Sequence, residues 1–142
     1  MPKGRLTAAQ RGRVARRANG LCEYCKCPQG FCPDAFSIDH IQPRSRRGSD
    51  ALANLAFVCQ GCNNSKYNRT SARDPATGAS TRFFNPRVDR WSEHFKWDES
   101  FAQIVGTTAI GRATIDLLKL NRPQVQNLRK LLHDAGLHPP AQ

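Results

Sequence analysis

Acidic side chains are scarce in this 142-residue chain: 11 Asp and Glu stand against 22 Lys and Arg, a formal charge of +11. So large an excess of cations reads as a polyanion footprint rather than only a solvated surface, because counterion release drives such surfaces onto nucleic acid. Long apolar runs are lacking too, and the longest falls far short of the roughly 18 residues a membrane span needs. The opening residues, Met1-Pro2-Lys3-Gly4-Arg5, lack the apolar core of a secretory signal, so a cytoplasmic location is expected. No internal repeat is present. Disorder is excluded by a hydrophobic content of 39%, and the length suits one domain with a modest core.

What the chain has in quantity is arginine, which supplies 16 of its 22 cations. Arginine pairs bidentately with phosphate, which strengthens the nucleic-acid reading. Six cations precede the first acid, Glu23, and further clusters fall at Arg44, Arg46 and Arg47, at Lys66, Arg69 and Arg73, and at Arg82, Arg87 and Arg90.

Six cysteines are present, and in a reducing cytosol they are expected as thiolates rather than disulfides. Cys22-Glu-Tyr-Cys25 and Cys59-Gln-Gly-Cys62 have the knuckle spacing of a metal site. Two such turns complete a closed tetrahedral Zn²⁺ site, which would staple a region whose own core is thin. The rival reading, a redox Cys-x-x-Cys pair, normally follows a strand in a βαβ unit, a context missing here. Cys27 and Cys32 lack the spacing and are expected as free thiols, with Cys27 the substitute ligand should Cys25 not serve.

Residues 7–19 are expected to form a basic helix capped by Thr7, with Val14, Ala15 and Ala18 on one face. It is either a surface helix with solvated arginines or a phosphate-contacting arm. Residues 36–41 alternate like a strand, Leu55-Ala56-Phe57-Val58 reads as a short buried strand, and residues 60–69 as a short helix. Residues 74–81 look like a loop and a boundary, dividing the chain into 1–73 and an extension, 74–142. In the extension, Phe95-Lys96-Trp97 and residues 101–105 are expected to pair as a hairpin. Thr108 caps a helix to Leu120, and Pro123 opens a last helix with a stripe of Val125, Leu128, Leu131, Leu132 and Ala135. Both helices read as packing rather than chemistry.

Between and after the cysteines lie Asp39-His40, Asn54 and Asn63. Asp39 is a hard oxygen donor suited to Mg²⁺ or Mn²⁺, and the Asn63 amide oxygen can be a second ligand. An imidazole titrates near neutrality, so His40 can take a proton from water. Lys66, three residues beyond Asn63, would face the same phosphate. Neighbours on an ideal strand point to opposite faces, so Asp39 and His40 share a site only if the strand ends or bends there, as Pro43 allows.

At these residues the chain resembles the HNH endonucleases of the ββα-metal (His-Me finger) superfamily. The match is Asp39-His40-Ile41-x-Pro43-Arg44-Ser45, Asn54-Leu55, then Cys59-x-x-Cys62-Asn63-x-x-Lys66. The 14-residue step from His40 to Asn54 and the nine-residue step to Asn63 suit that family. Its last motif position is often histidine; with Asn63 there, this chain is an HNN variant. The tail, with Arg90-Trp91-Ser92-Glu93-His94-Phe95 and Gly111-Arg112-Ala113-Thr114, looks like small free-standing bacterial HNH proteins. The resemblance implies an α+β fold with a ββα core and one divalent ion between Asp39 and Asn63. It also implies His40 as general base and Asn54 as the residue that holds the inter-strand loop. The implied reaction is hydrolysis of DNA, with RNA as the alternative, leaving 5′-phosphate and 3′-hydroxyl ends. Arg44, Arg46 and Arg47, with Lys66 and Arg69, would contact flanking phosphates. The competing reading is a non-catalytic, zinc-stabilised nucleic-acid-binding module. His94 is expected as a packed histidine, His133 and His138 as surface residues, and Trp91 and Trp97 as core.

Overall fold

In a computed structural model, residues 5–141 are described; residues 1–4 and 142, including most of the segment weighed above as a signal, lie outside the described residues. The architecture is α+β, with small two-stranded antiparallel sheets among helices.

Helix α1 (Ala8–Arg17) starts where expected: the Thr7 hydroxyl accepts from Gln10 N, and the Gln10 side chain returns a bond to Thr7 N. That reciprocal capping box satisfies two amides that a helix start otherwise leaves open. Its one fully buried residue, Val14, packs against Leu55 and Phe57.

Strands β1 (Ser37–His40) and β2 (Leu55–Val58) pair antiparallel, with Asp39 opposite Ala56 and His40 opposite Leu55. All four residues of β2 are buried because both its faces are covered. Leu55 and Phe57 meet the α1 cluster, which includes Ile38, while Ala56 and Val58 join a larger core with the cysteines, Phe84, Trp91, Phe95 and Leu118. The first cysteine knuckle docks on the same strand: Glu23 N donates to Phe57 O, and Glu23 Oε2 accepts from Phe57 N at 2.8 Å. The other oxygen of Glu23 pairs with Arg87, tying the knuckle to the extension.

Helix α2 (Gln60–Lys66) is shorter than the expected 60–69, because Tyr67 turns out at φ 49°. Residues 74–81, expected as loop, instead close a hairpin of β3 (Ala72–Arg73) and β4 (Ser80–Thr81). Its strands are too short to show alternation. Its turn is organised by buried Asp74, which accepts from Ala76 N and Thr77 Oγ1 and is held by Arg112.

Helix α3 (Trp91–His94) leads into β5 (Phe95–Trp97), paired with β6 (Ile104–Gly106). Helix α4 (Ala109–Leu118) is capped by the Thr108 hydroxyl and ends two residues early, with Lys119 left-handed at φ 52°. The Gly111-Arg112-Ala113-Thr114 motif is structural: a Cβ on Gly111 would stand 2.1 Å from His94 O, so only glycine allows this approach. Arg112 holds Asp74, Ala113 is buried, and Thr114 Oγ1 accepts from Phe84 N.

Helix α5 (Pro123–Asp134) buries Val125 and Leu132, but Leu131 and Ala135 of its expected stripe are exposed. The buried residue there is Arg129, which donates to the carbonyls of Ala102 and Leu120. His138, expected at the surface, is buried, bonds Phe101 O and meets the Trp97 ring edge-on. Trp91 and Trp97 join the two parts of the chain as core: Trp91 Nε1 donates to Tyr24 O. No helix among the described residues is long and apolar enough to cross a membrane.

Candidate active site and metal centre

The sulfurs of Cys22, Cys25, Cys59 and Cys62 all lie within 4.8 Å of one another and are buried. A Zn²⁺ ion with bonds of about 2.3 Å in a tetrahedron sets sulfurs about 3.8 Å apart. The Cys25–Cys59 separation of 3.6 Å fits that spacing. Hydrogen bonds among the four sulfurs lower the Cys59 pKa, while burial pushes that of Cys22 up. A dication answers that arrangement, because it lets all four sulfurs ionise together.

Arg122, the residue that precedes α5, supplies a cation to this centre. Arg122 Nη2 donates to Cys59 Sγ at 3.4 Å and Nη1 to Cys62 Sγ at 3.9 Å. Burial opposes the Arg122 charge, but the cysteine thiolates outweigh it and raise its pKa. A Cβ on Gly61 would stand 2.6 Å from Arg122 Nη2, so the glycine inside the second knuckle leaves room for the guanidinium. Cys27 and Cys32, expected as free thiols, are bonded to each other, and Cys27 is not part of the four-sulfur cluster. The short turn at Gln29–Phe31 folds the intervening chain back and brings the two together.

The Asp39-His40 dipeptide ends β1. Ile41 N bonds Asn54 O, the chain bends, and Pro43 precedes a short turn at Arg44–Arg46. Asp39 turns towards α2, where Lys66 Nζ lies 3.0 Å from Asp39 Oδ2. Lys66 has no exposed surface, which corrects its expected place on a phosphate. Its ammonium also donates to His40 O at 3.2 Å and Ile41 O at 3.3 Å, and lies over the Phe83 ring. Burial raises the Asp39 pKa, partly offset by Lys66. Although within ion-pair distance, Asp39 Oδ2 accepts no aligned hydrogen bond and is buried. One helical turn before Lys66, the half-buried Asn63 side chain makes no hydrogen bond among the described residues.

His40 turns to the inter-strand loop, where Nε2 meets Asp50 Oδ1 at 2.8 Å. Arg44 donates to the same oxygen through Nε and Nη2, so Asp50 is held from two sides and its pKa is lowered, first by His40 and then by Arg44. Asp50 was missed from sequence, where it is one polar residue in a basic loop. Asn54 ties that loop together: Oδ1 accepts from Gln42 N, and Nδ2 donates to Gln42 O and Ser49 O. Arg46, Arg47 and Arg69 are exposed, whereas Arg44 is engaged by Asp50. His94 is packed against Phe84 and bonded to Thr108 Oγ1.

A four-sulfur metal site beside a strand–strand–helix unit, with an Asp-His pair at the strand end, defines a metal-binding ββα module. Residues 22–69 match the family model of the HNH endonucleases, so this segment is an HNH domain. No curated protein and no solved structure matches the chain.

Proposed function

We propose that the chain is a metal-dependent endonuclease that hydrolyses phosphodiester bonds in DNA. The observation that carries this reading is the placement of Asp39 and His40 at the end of β1, against the helix that bears Asn63, inside the HNH segment. The donor set fits a hard cation: the buried Asp39 Oδ2 and the Asn63 amide both lack hydrogen-bond partners among the described residues. A divalent ion such as Mg²⁺ or Mn²⁺ on Asp39 and Asn63 would neutralise charge developing on the scissile phosphate. His40 acts as general base. Asp50 accepts the Nε2 proton and so fixes the tautomer, which leaves the Nδ1 lone pair to take a proton from the attacking water. As the imidazole gains that proton, Asp50 faces the new charge. Arg46, Arg47 and Arg69 hold flanking phosphates, and the zinc cluster keeps α2 in register with the hairpin.

One observation favours the non-catalytic alternative: the Lys66 ammonium already balances the Asp39 charge. Incubating the purified protein with supercoiled plasmid and Mg²⁺ or Mn²⁺ separates the two. Nicking that disappears in His40→Ala and Asp39→Ala supports catalysis; intact plasmid beside retained binding supports the alternative.

A further inference from the structure

Among the described residues, eight of the sixteen arginines donate hydrogen bonds to protein acceptors, and so are structural cations. The remainder are not scattered evenly. Arg13 and Arg16 of α1 and Arg46 and Arg47 of the inter-strand loop are exposed, and their side chains bond no protein group among the described residues.

Arg17 relates the two groups. Its Nη1 donates to Leu52 O at 2.9 Å and its Nη2 to Leu55 O at 2.6 Å. Leu55 is the register partner of His40, so the last turn of α1 is pinned to the residue directly across the sheet from the general base. Arg13 precedes Arg16 by three positions and Arg17 by four, which sets all three on one flank of the helix. Ile38, two residues before His40 on β1, packs in the α1 cluster. α1 itself contains no acid, and Asp50 of the loop is engaged by His40 and Arg44.

We propose that the Arg13–Arg16 flank of α1, with Arg46 and Arg47, is the surface on which the sugar-phosphate backbone of the substrate docks beyond the scissile phosphate. The proposal rests on the nucleic-acid reading of the HNH domain but not on catalysis. α1 precedes the HNH segment, so this chain brings its own backbone-binding arm to the nuclease core.

The test uses the full chain carrying His40→Ala, so that binding is read without cleavage, with labelled short DNA in duplex and single-stranded form. The affinity is measured against salt. Arg13→Gln/Arg16→Gln removes two phosphate contacts, so the log–log salt slope on duplex should fall by about 1.8 and the affinity at 0.1 M salt by roughly tenfold or more. A charge-matched control, Lys119→Gln just after α4 with Lys130→Gln on α5, should leave the slope unchanged, and Arg13→Lys/Arg16→Lys should restore most of it. An unchanged slope in the α1 variant, or an equal fall in the control, overturns the proposal. A loss confined to one DNA form identifies that form as the docked substrate. If the otherwise native chain binds in this way but never cuts, docking stands and the nuclease reading falls; if it binds neither form, both fall.

Discussion

Lys66 Nζ lies 3.0 Å from Asp39 Oδ2, with Lys66 fully buried and Asp39 8% exposed. The same ammonium bonds the carbonyls of His40 and Ile41, so one side chain fastens α2 to the Asp-His dipeptide. Removing it leaves a buried carboxylate without its counter-charge. Lys66→Met is therefore expected to cost about 3–5 kcal/mol in urea unfolding. Adding Asp39→Asn removes the stranded charge and should recover much of that loss. A single-variant loss below about 1 kcal/mol would show that the pair is not coupled as described.

Asp50 is a positioning residue in the proposed mechanism, since it acts on the reaction only through His40. Asp50→Asn should lower plasmid nicking by roughly ten- to a hundredfold, the scale of a small misplacement of a catalytic group. Its side chain is one-third exposed, at 33%, so urea stability should barely move. Equal losses in rate and stability would instead mark Asp50 as a loop brace.

Arg122 donates to two of the four sulfurs, and a tetrathiolate around Zn²⁺ carries a net charge of −2 that its guanidinium offsets. Arg122→Met should weaken retention of zinc by roughly ten- to a hundredfold, read as competition with a chromogenic chelator. Arg122→Lys should fall between, keeping the charge but losing the fork. Stripping the metal should unfold the region around Trp91, seen as a shift in its fluorescence, because the core on which it packs includes the cysteines. Zinc retention unchanged in Arg122→Met would reduce the contact to packing.

Local pattern carried α1 and most of the HNH segment. Thr7 and Gln10 form a capping box because both partners lie within one turn, and β2 is legible because four consecutive apolar residues need cover on both faces. The cysteines are legible from spacing, since metal geometry fixes it. What stayed hidden depends on partners distant in the chain. Lys66 reads like any exposed lysine of a short helix until β1 is laid beside it, and Asp50 like a loop acid until His40 reaches it. Arg129 was hidden by the helical stripe around it, because an arginine can fill a core position where carbonyls meet its two terminal nitrogens, Nη1 and Nη2. The hairpin at residues 72–81 has only two paired residues per strand, too few for a period to show.

The Asp74–Arg112 pair makes the stability of the extension depend on pH in a stated direction. Asp74 is 1% exposed, receives two bonds from Arg112, and has its pKa lowered from 3.8 to about 2, chiefly by that guanidinium. A depressed carboxylate contributes stability that is fully present above its unfolded pKa and is lost as pH falls through the folded value. The contribution should therefore be intact at neutral pH, decline below pH 3.8 and be gone below about 2. Comparing urea unfolding of the native chain with Asp74→Asn across that range tests it. The difference between the two should be largest near neutrality and shrink in acid. A difference that stays constant across the window would mean that Asp74 stabilises the β3–β4 turn through its hydrogen bonds to Ala76 and Thr77 rather than through its charge.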